Sequence, residues 1–215
     1  MKKGMRALVV GAGGIGCPAI LSLAHGGVSK ICIADDDYVE ASNLPRQLWH
    51  WPEDLGRPKV DSACEKLSKR FPGVSFEPLF LRVDGGNAAA LFAEHPVVVD
   101  ATDALESKLL FSDIAARGGR VLISAGAAGW RGQVMRIEPG GSCLRCLFPE
   151  PVQEGVLPRQ AGILGPLAGL LGFRAAAMVH KPLGLGRGTL HWIDALSWRT
   201  GVMHIEKSPQ CPCHG

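Results

Sequence analysis

Residues 9–19, VVGAGGIGCPA, decide the fold. Four glycines, Gly11, Gly13, Gly14 and Gly16, join the end of an apolar, β-rich run to the start of a helical one. Glycines at such a junction let a phosphate approach the backbone where a strand stops and a helix N-terminus begins. Upstream, residues 6–10 read as a strand. Downstream, Ile15, Ala19 and Leu23 recur at helical spacing to about residue 25, and residues 30–34 read as a second strand. The opening is therefore a βαβ unit built around a nucleotide.

The alternation continues. Val60, Ala63, Cys64, Leu67 and Phe71 share one face of a helix expected over 58–71, with Pro58 near its start. Strands are expected at 74–80, 97–102 and 120–124, with helices at 88–94 and 105–117 between them. Strands separated by helices imply a doubly wound, mostly parallel sheet of the α/β class. After residue 124 the pattern changes to GQVMRI, a cysteine pair, an apolar run at 161–173 and strand-like runs near 190–193 and 202–205. These late strands are expected to extend the sheet as a mixed or antiparallel edge.

A length of 215 residues suits one α/β domain and is short for two. The 23 basic and 20 acidic side chains are interspersed and net to +3, so there is no basic stripe for nucleic acid. The apolar run at 161–173 is shorter than the roughly 20 residues of a membrane span, and reads as a buried helix. The Gly165–Gly169 spacing within it reads as close helix packing or a loop contact. Residues 1–6 lead straight into a strand without the regions of a signal peptide, and a cytoplasmic location is expected.

Which nucleotide is bound turns on the residues after the second strand, in DDDYVEASNLPRQLWHWPEDLGRPKV. Asp35 follows the fingerprint by about twenty residues, where a carboxylate accepts hydrogen bonds from ribose hydroxyls. To this point NAD and ATP fit equally. Asn43, Arg46, Gln47 and Lys59 then supply more polar and cationic groups than a pyrophosphate on a helix terminus needs, which favours a triphosphate. Asp103 lies just past a strand's carboxyl end, placed to hold Mg2+ against the phosphates. Taken singly, Asp103 is also explicable as a helix N-cap and Lys59 as a surface cation. Asp100, nearer the strand body, suits a cap of the following turn.

The segments GAGGIGCPA, DDDYVEASNLPRQ, LGRPKV, DATD, CLRCLFPEP and AGILGPLAG occur in that order. Together they resemble the MoeB/ThiF/HesA adenylyltransferases, bacterial relatives of the ubiquitin-activating enzymes, over nearly the whole chain. The resemblance implies one Rossmann-like adenylation domain over 1–215, with a nucleotide-binding half at 1–124 and a C-terminal half at 125–215. It implies that ATP is a substrate: the C-terminal carboxylate of a small ubiquitin-like sulfur carrier ending in Gly-Gly attacks the α-phosphate, giving an acyl-adenylate and pyrophosphate. Carried over, Asp35 holds the ribose, Asn43, Arg46, Gln47 and Lys59 the phosphates, and Asp103 the magnesium. Arg46, Lys59 and Asp103 are then the catalytic set, and Gly14 and Asp37 join the nucleotide-binding residues. A homodimer is implied as well. The alternatives are a small-molecule carboxylate substrate, a nucleotide-binding scaffold without turnover and, using only the glycine loop, an NAD-dependent oxidoreductase.

Of the seven cysteines, Cys17, Cys32 and Cys64 sit among apolar neighbours and read as buried hydrophobes. Cys143 and Cys146 form a Cys-x-x-Cys hook, and the chain ends in CPCHG with Cys211, Cys213 and His214. The second cluster supplies the ligands that a redox dithiol would not need, so structural Zn2+ in a zinc knuckle is expected, with Cys213 or His214 as fourth ligand.

The sequence departs from the family in several places. Residues 156–160, VLPRQ, hold no sulfur where some relatives carry a cysteine, so adenylation without an enzyme thioester is expected. Only residues 1–5 precede the first strand, where many relatives carry an arginine that reaches the partner subunit's ATP site; Lys2, Lys3 and Arg6 are the nearest substitutes. Ala104 stands where an Asn is usual and Lys108 where an Arg is. Trp49, Trp51, Trp130, Trp192 and Trp198 read as core or dimer packing, and His50 as structural.

Overall fold

A computed structural model describes residues 4–148, 162–180 and 188–213. Its strands are Arg6–Val10 (β1), Lys30–Ala34 (β2), Ser75–Leu79 (β3), Val97–Asp100 (β4), Val121–Ala128 (β5), Arg131–Ile137 (β6), Thr189–Asp194 (β7) and Arg199–His204 (β8). Its helices are Gly16–His25 (α1), Lys59–Arg70 (α2), Ala88–Glu94 (α3), Leu105–Gly118 (α4), Leu144–Leu147 (α5) and Gly165–His180 (α6). Every expected element is present. The four-residue α5, which carries the first cysteine hook, is additional.

All eight strands form one sheet in the order β3-β2-β1-β4-β5-β6-β7-β8. Pairing is parallel from β3 to β5 and antiparallel from β5 to β8, the expected mixed extension. The chain leaves β1 in one direction for β2 and β3, then crosses back to lay β4 on β1's other side. That reversal opens a crevice above the carboxyl ends of β1 and β4, where open α/β sheets bind ligands. Pro78 is tolerated in β3 because this edge strand pairs on one side only.

Strand side chains alternate between two cores, as a pleated backbone requires. Ala7, Val9, Ile31, Ile33, Val97, Val99 and Ile123 face the layer of α1, α2 and α6. Leu8, Val10, Cys32, Ala34, Val98 and Leu122 face the layer of α3, α4 and α5. The near-continuous apolar sequence of β1, β2 and β4 reflects burial on both faces.

Helix α6 starts later than the apolar run and continues through RAAAMVH to His180. It packs along α1 at Gly172, where a Cβ would stand 2.3 Å from the carbonyl oxygen of Ile15. Of the two glycines singled out in the sequence, Gly165 abuts the loop at Arg46, whereas a Cβ on Gly169 would meet nothing within 4 Å. Close approach of α6 to α1 is thus the work of Gly172. Among the described residues no helix is long and apolar enough to cross a membrane.

The tryptophans divide between core and surface. Trp49 is buried, but Trp51, Trp130 and Trp198 are exposed. The reason is placement: Trp130 lies in the β5–β6 turn and Trp198 in the β7–β8 turn, beyond the reach of either core.

Candidate functional site

A cavity of about 1540 Å3 opens over the crevice. One end of it is built by the glycine loop. Gly11 adopts φ +100°, and a Cβ there would stand 2.8 Å from the Ala101 carbonyl oxygen. At Gly16 a Cβ would stand 1.8 Å from the Gly11 carbonyl oxygen, so neither position accepts a side chain. Gly13 and Gly14 line the cavity itself. Helix α1 begins with no side-chain cap, and its N-terminus faces this loop.

Asp35 sits one residue beyond β2. Its Oδ2 accepts a hydrogen bond of 2.6 Å from Ala12 N–H and its Oδ1 one of 2.9 Å from Asp37 N–H. Burial raises its pKa above the ordinary carboxylate value. Each oxygen keeps acceptor capacity for a ribose hydroxyl, while the carboxylate already braces the loop.

The residues expected to meet the phosphates come from the segment after β2 and the start of α2. Lys59 is buried rather than a surface cation: its Nζ donates to Asp37 Oδ2 at 2.6 Å and its N–H to the Asp37 carbonyl at 3.0 Å. Arg46 is half-buried at the cavity wall, with Nη1 donating to the Ser42 carbonyl at 2.6 Å. Asn43 is buried and closes a 3-10 turn, its Oδ1 accepting from Glu40 N–H at 3.2 Å. Gln47 is 4% exposed, lies beside Gly13, and its Oε1 is without a partner. A buried amide with an idle polar atom in a cavity wall is suited to a ligand.

At the end of β4 the two aspartates separate in role. Asp100 is fully buried, takes two hydrogen bonds from Thr102 and one from Ser124, and caps the turn as expected. Asp103 is exposed in the cavity, and α4 is capped by Ala104 instead, so Asp103 is not an N-cap. An exposed carboxylate lining the same cavity as Lys59 and Arg46 has the donor chemistry that Mg2+ takes.

The far end of the cavity was not legible in the sequence. Arg131, Gln133, Trp192, Asp194, Ser197 and Arg199 line it, brought together by the antiparallel register of β6, β7 and β8. Arg131 Nε pairs with Asp194 Oδ2 at 3.4 Å. Lys108 lies at the cavity floor with its ammonium turned inward. Lys2, Lys3 and residues 156–160 fall outside the described residues; Arg6 is exposed at the start of β1.

The cysteine hooks converge below α4. Cys143 Sγ is 3.9 Å from Cys146 Sγ and 3.5 Å from Cys211 Sγ, and the three thiols lie within 4.8 Å of one another. Ligand sulfurs about 3.8 Å apart are what tetrahedral zinc with Zn–S bonds of about 2.3 Å requires. Cys213 is nearby, but its thiol donates to Asp113 Oδ1 at 3.1 Å, and Asp113 also pairs with Arg145 at 3.2 Å. His214 falls outside the described residues. Burial holds the Cys143 thiol up at about 12. Cys17, Cys32 and Cys64 are buried singly, as expected, with Cys17 pushed up to about 12 by burial.

The ThiF family model matches residues 3–213. The SAMP-activating enzyme E1 of Haloferax volcanii is 38% identical over 216 residues, covering 98% of this chain and 80% of that protein. The adenylyltransferase and sulfurtransferase uba4 of Aspergillus fumigatus is 40% identical over 155 residues, covering 68% of this chain and 31% of the fungal protein, which is far longer. Among solved structures, E. coli MccB with ATP superposes at a TM-score of 0.84 with 21% identity, covering 99% of this chain and 67% of MccB. MccB in complex with N-formylated MccA gives 0.87 with 20% identity, covering 98% and 67%. At such identities the likeness to MccB is one of fold. The sequence matches reach further: the chain belongs to the ThiF family, beside relatives named as activating enzymes and adenylyltransferases.

Proposed function

We propose that this protein is an ATP-dependent adenylyltransferase that activates the C-terminal carboxylate of a small ubiquitin-like sulfur carrier ending in Gly-Gly. The observation that carries this reading is the extent of the cavity. It runs from the glycine loop to the β6–β8 strands, and at about 1540 Å3 it exceeds the roughly 300–1000 Å3 of small-molecule pockets. A nucleotide at one end leaves a strand-lined channel at the other, suited to an extended protein tail. The names of the archaeal and fungal relatives support the same chemistry.

In the reaction a carboxylate oxygen of the carrier forms a bond to the α-phosphorus, and the bond from that phosphorus to the bridging oxygen breaks. Pyrophosphate leaves with the electron pair. The carboxylate is ionised near neutral pH, so no general base is needed. The chain's contribution is position and charge: Gly13, Gly14 and the α1 N-terminus face the phosphates, and Arg46 and Lys59 neutralise charge that develops on the leaving oxygens. Asp103 would hold Mg2+, which neutralises the triphosphate further when bound. Cys143, Cys146 and Cys211 would hold a structural Zn2+, with Cys213 or His214 completing the set. Asp35 is assigned to the ribose, and a cytoplasmic homodimer forming a single adenylation domain per chain belongs to the same reading.

ATP/pyrophosphate exchange with Mg2+ tests it. Exchange is expected to require a carrier with an intact Gly-Gly end and to vanish in Asp103→Ala. Exchange supported by a small carboxylate instead, or ATP binding with no exchange under any acceptor, overturns the carrier assignment in favour of a small-acid ligase or a scaffold.

A further inference from the structure

The glycine loop is held from both sides, and one of the two clamps is a buried histidine. Ala12 N–H donates to Asp35 Oδ2 at 2.6 Å, while the Ala12 carbonyl oxygen lies 3.0 Å from His50 Nε2. His50 is 2% exposed and comes from the segment between β2 and α2, thirty-eight residues along the chain from Ala12. Its Nδ1 is 3.0 Å from Ser62 Oγ. Lys66 donates to that hydroxyl at 3.2 Å and is anchored in turn by the buried Asp54. A second, weaker donor, the Cys17 thiol, reaches the same carbonyl at 3.1 Å.

These contacts select a tautomer. A carbonyl accepts only, so Nε2 must carry a proton, and a neutral ring then presents Nδ1 as an acceptor. The Ser62 hydroxyl also lies 3.1 Å from the Trp49 carbonyl, so its single proton is shared between that oxygen and Nδ1, and it is the Ala12 carbonyl that places the ring proton on Nε2. Burial, reinforced by the Lys59 and Lys66 charges, keeps the ring below the ordinary imidazole pKa and favours the neutral form.

The clamp has a consequence for the ligand. In a planar trans peptide the C=O and the following N–H point in opposite directions. Fixing the Ala12 carbonyl toward His50 therefore turns the Gly13 N–H away from His50, and Gly13 lines the cavity. Among the described residues the Gly13 N–H has no hydrogen-bond partner of its own.

We propose that His50 is a positioning residue for nucleotide binding: as the Nε2–H tautomer it holds the Ala12–Gly13 peptide with the Gly13 N–H aimed at a phosphate oxygen. This rests on the cavity being the ATP site. His50 touches no reacting atom; it acts through the loop.

The test compares the wild type with His50→Phe, which keeps the ring volume and donates nothing, and His50→Gln, whose amide N–H can reach the same carbonyl. Nitrogen-15 NMR reads the His50 tautomer, and titration calorimetry reads ATP affinity. The expected results are an Nε2–H ring at pH 7.5 and an ATP Kd raised about tenfold in His50→Phe, the size of one hydrogen bond. His50→Gln is expected to recover to within about threefold of the wild type, with the acceptor KM unchanged in both. An Nδ1–H tautomer overturns the proposal, as does a folded Phe variant that binds ATP within about twofold of the wild type. Should the Phe variant not fold, the tautomer and the Gln variant decide: a Gln variant no better than about tenfold weakened, with a native melting temperature, also overturns it. Failure of the wild type to bind ATP would instead refute the nucleotide assignment, and the tautomer measurement separates the two.

Discussion

Lys108 Nζ stands 3.2 Å from Asp100 Oδ2 and 2.6 Å from the Ala125 carbonyl oxygen, tying the ends of β4, β5 and α4 together beneath the cavity. Both residues are buried, and Asp100 takes further hydrogen bonds from Ser124 and Thr102. Lys108 is a strut for the Ala101–Ala104 loop that presents Asp103, and Gly126 leaves space for its stem, since a Cβ added there would stand 3.1 Å from Lys108 Cε.

Lys108→Met strands the Asp100 carboxylate in the core. Removing one partner of a buried pair costs about 3–5 kcal/mol, so urea denaturation is expected to show a loss of that order. Adding Asp100→Asn should return part of it, because the unpaired charge is then gone. Equal losses in the single and double variants would show that the ion pair itself carries nothing.

Lys59 and Asp37 predict an asymmetry. Lys59→Ala is expected to lower pyrophosphate exchange by about a hundredfold or more, as for loss of a preorganised charge at a phosphoryl site. Asp37 is 67% exposed at its side chain, and an ion pair with so exposed a partner contributes only about 0–1 kcal/mol. Asp37→Ala should leave folding stability nearly unchanged and change exchange by about threefold at most. Exchange kinetics on the two variants check this.

The two α6 glycines separate packing from propensity. A methyl on Gly172 collides with the Ile15 carbonyl and Pro18, so Gly172→Ala is expected to cost about 1–3 kcal/mol. Gly169 faces open space, and Gly169→Ala should stabilise by up to about 1 kcal/mol through helix propensity. Thermal melts of opposite sign are the expected result.

His50 also sets a pH dependence of stability. Its folded pKa is lowered from 6.5, chiefly by burial. The unfolded chain therefore binds a proton first as pH falls, and stability is lost below about pH 6.5 and down to the folded pKa. The groups facing the ring are Cys17, Ser62, Lys59, Lys66 and Asp54. Urea midpoints between pH 5 and 8 should show a slope in the wild type that is reduced in His50→Gln.

For the cysteine cluster, elemental analysis is expected to find about one zinc per chain. Cys143→Ser should lose the metal and lower the melting temperature, and chelation should do the same to the wild type. Cys213→Ser tests the fourth ligand: retained zinc assigns that place away from Cys213.

The parallel half of the fold was legible because its signals are local. Strands β1 and β2 and helix α3 begin and end where apolar runs and turn residues place them. The limits of β5 were not: Val121–Ser124 pair with β4, but Ala125–Ala128 are strand only because β6 pairs with them, a long-range register that no local pattern announces. That the glycines, Asp35 and Asp103 would share one cavity was readable for the same reason, since they fall just past strand ends of a βαβ series, whereas Arg46 and Lys59 reach it from the segment after β2 and the start of α2. Lys108 as a strut, His50 as a clamp and the Arg131–Asp194 end depend on which distant backbone atoms meet them. Of the tryptophans read as core or dimer packing, Trp130 and Trp198 stand exposed in hairpin turns, which places them outside either core.

Strand β5 is paired differently along its length, parallel with β4 at its start and only antiparallel with β6 at its end. On the proposed reading the nucleotide rests on one regime and the acceptor on the other, so the two recognition tasks draw on separate stretches of chain. On that reading, substitutions in the β7–β8 hairpin are expected to change what is activated while ATP binding stays in place.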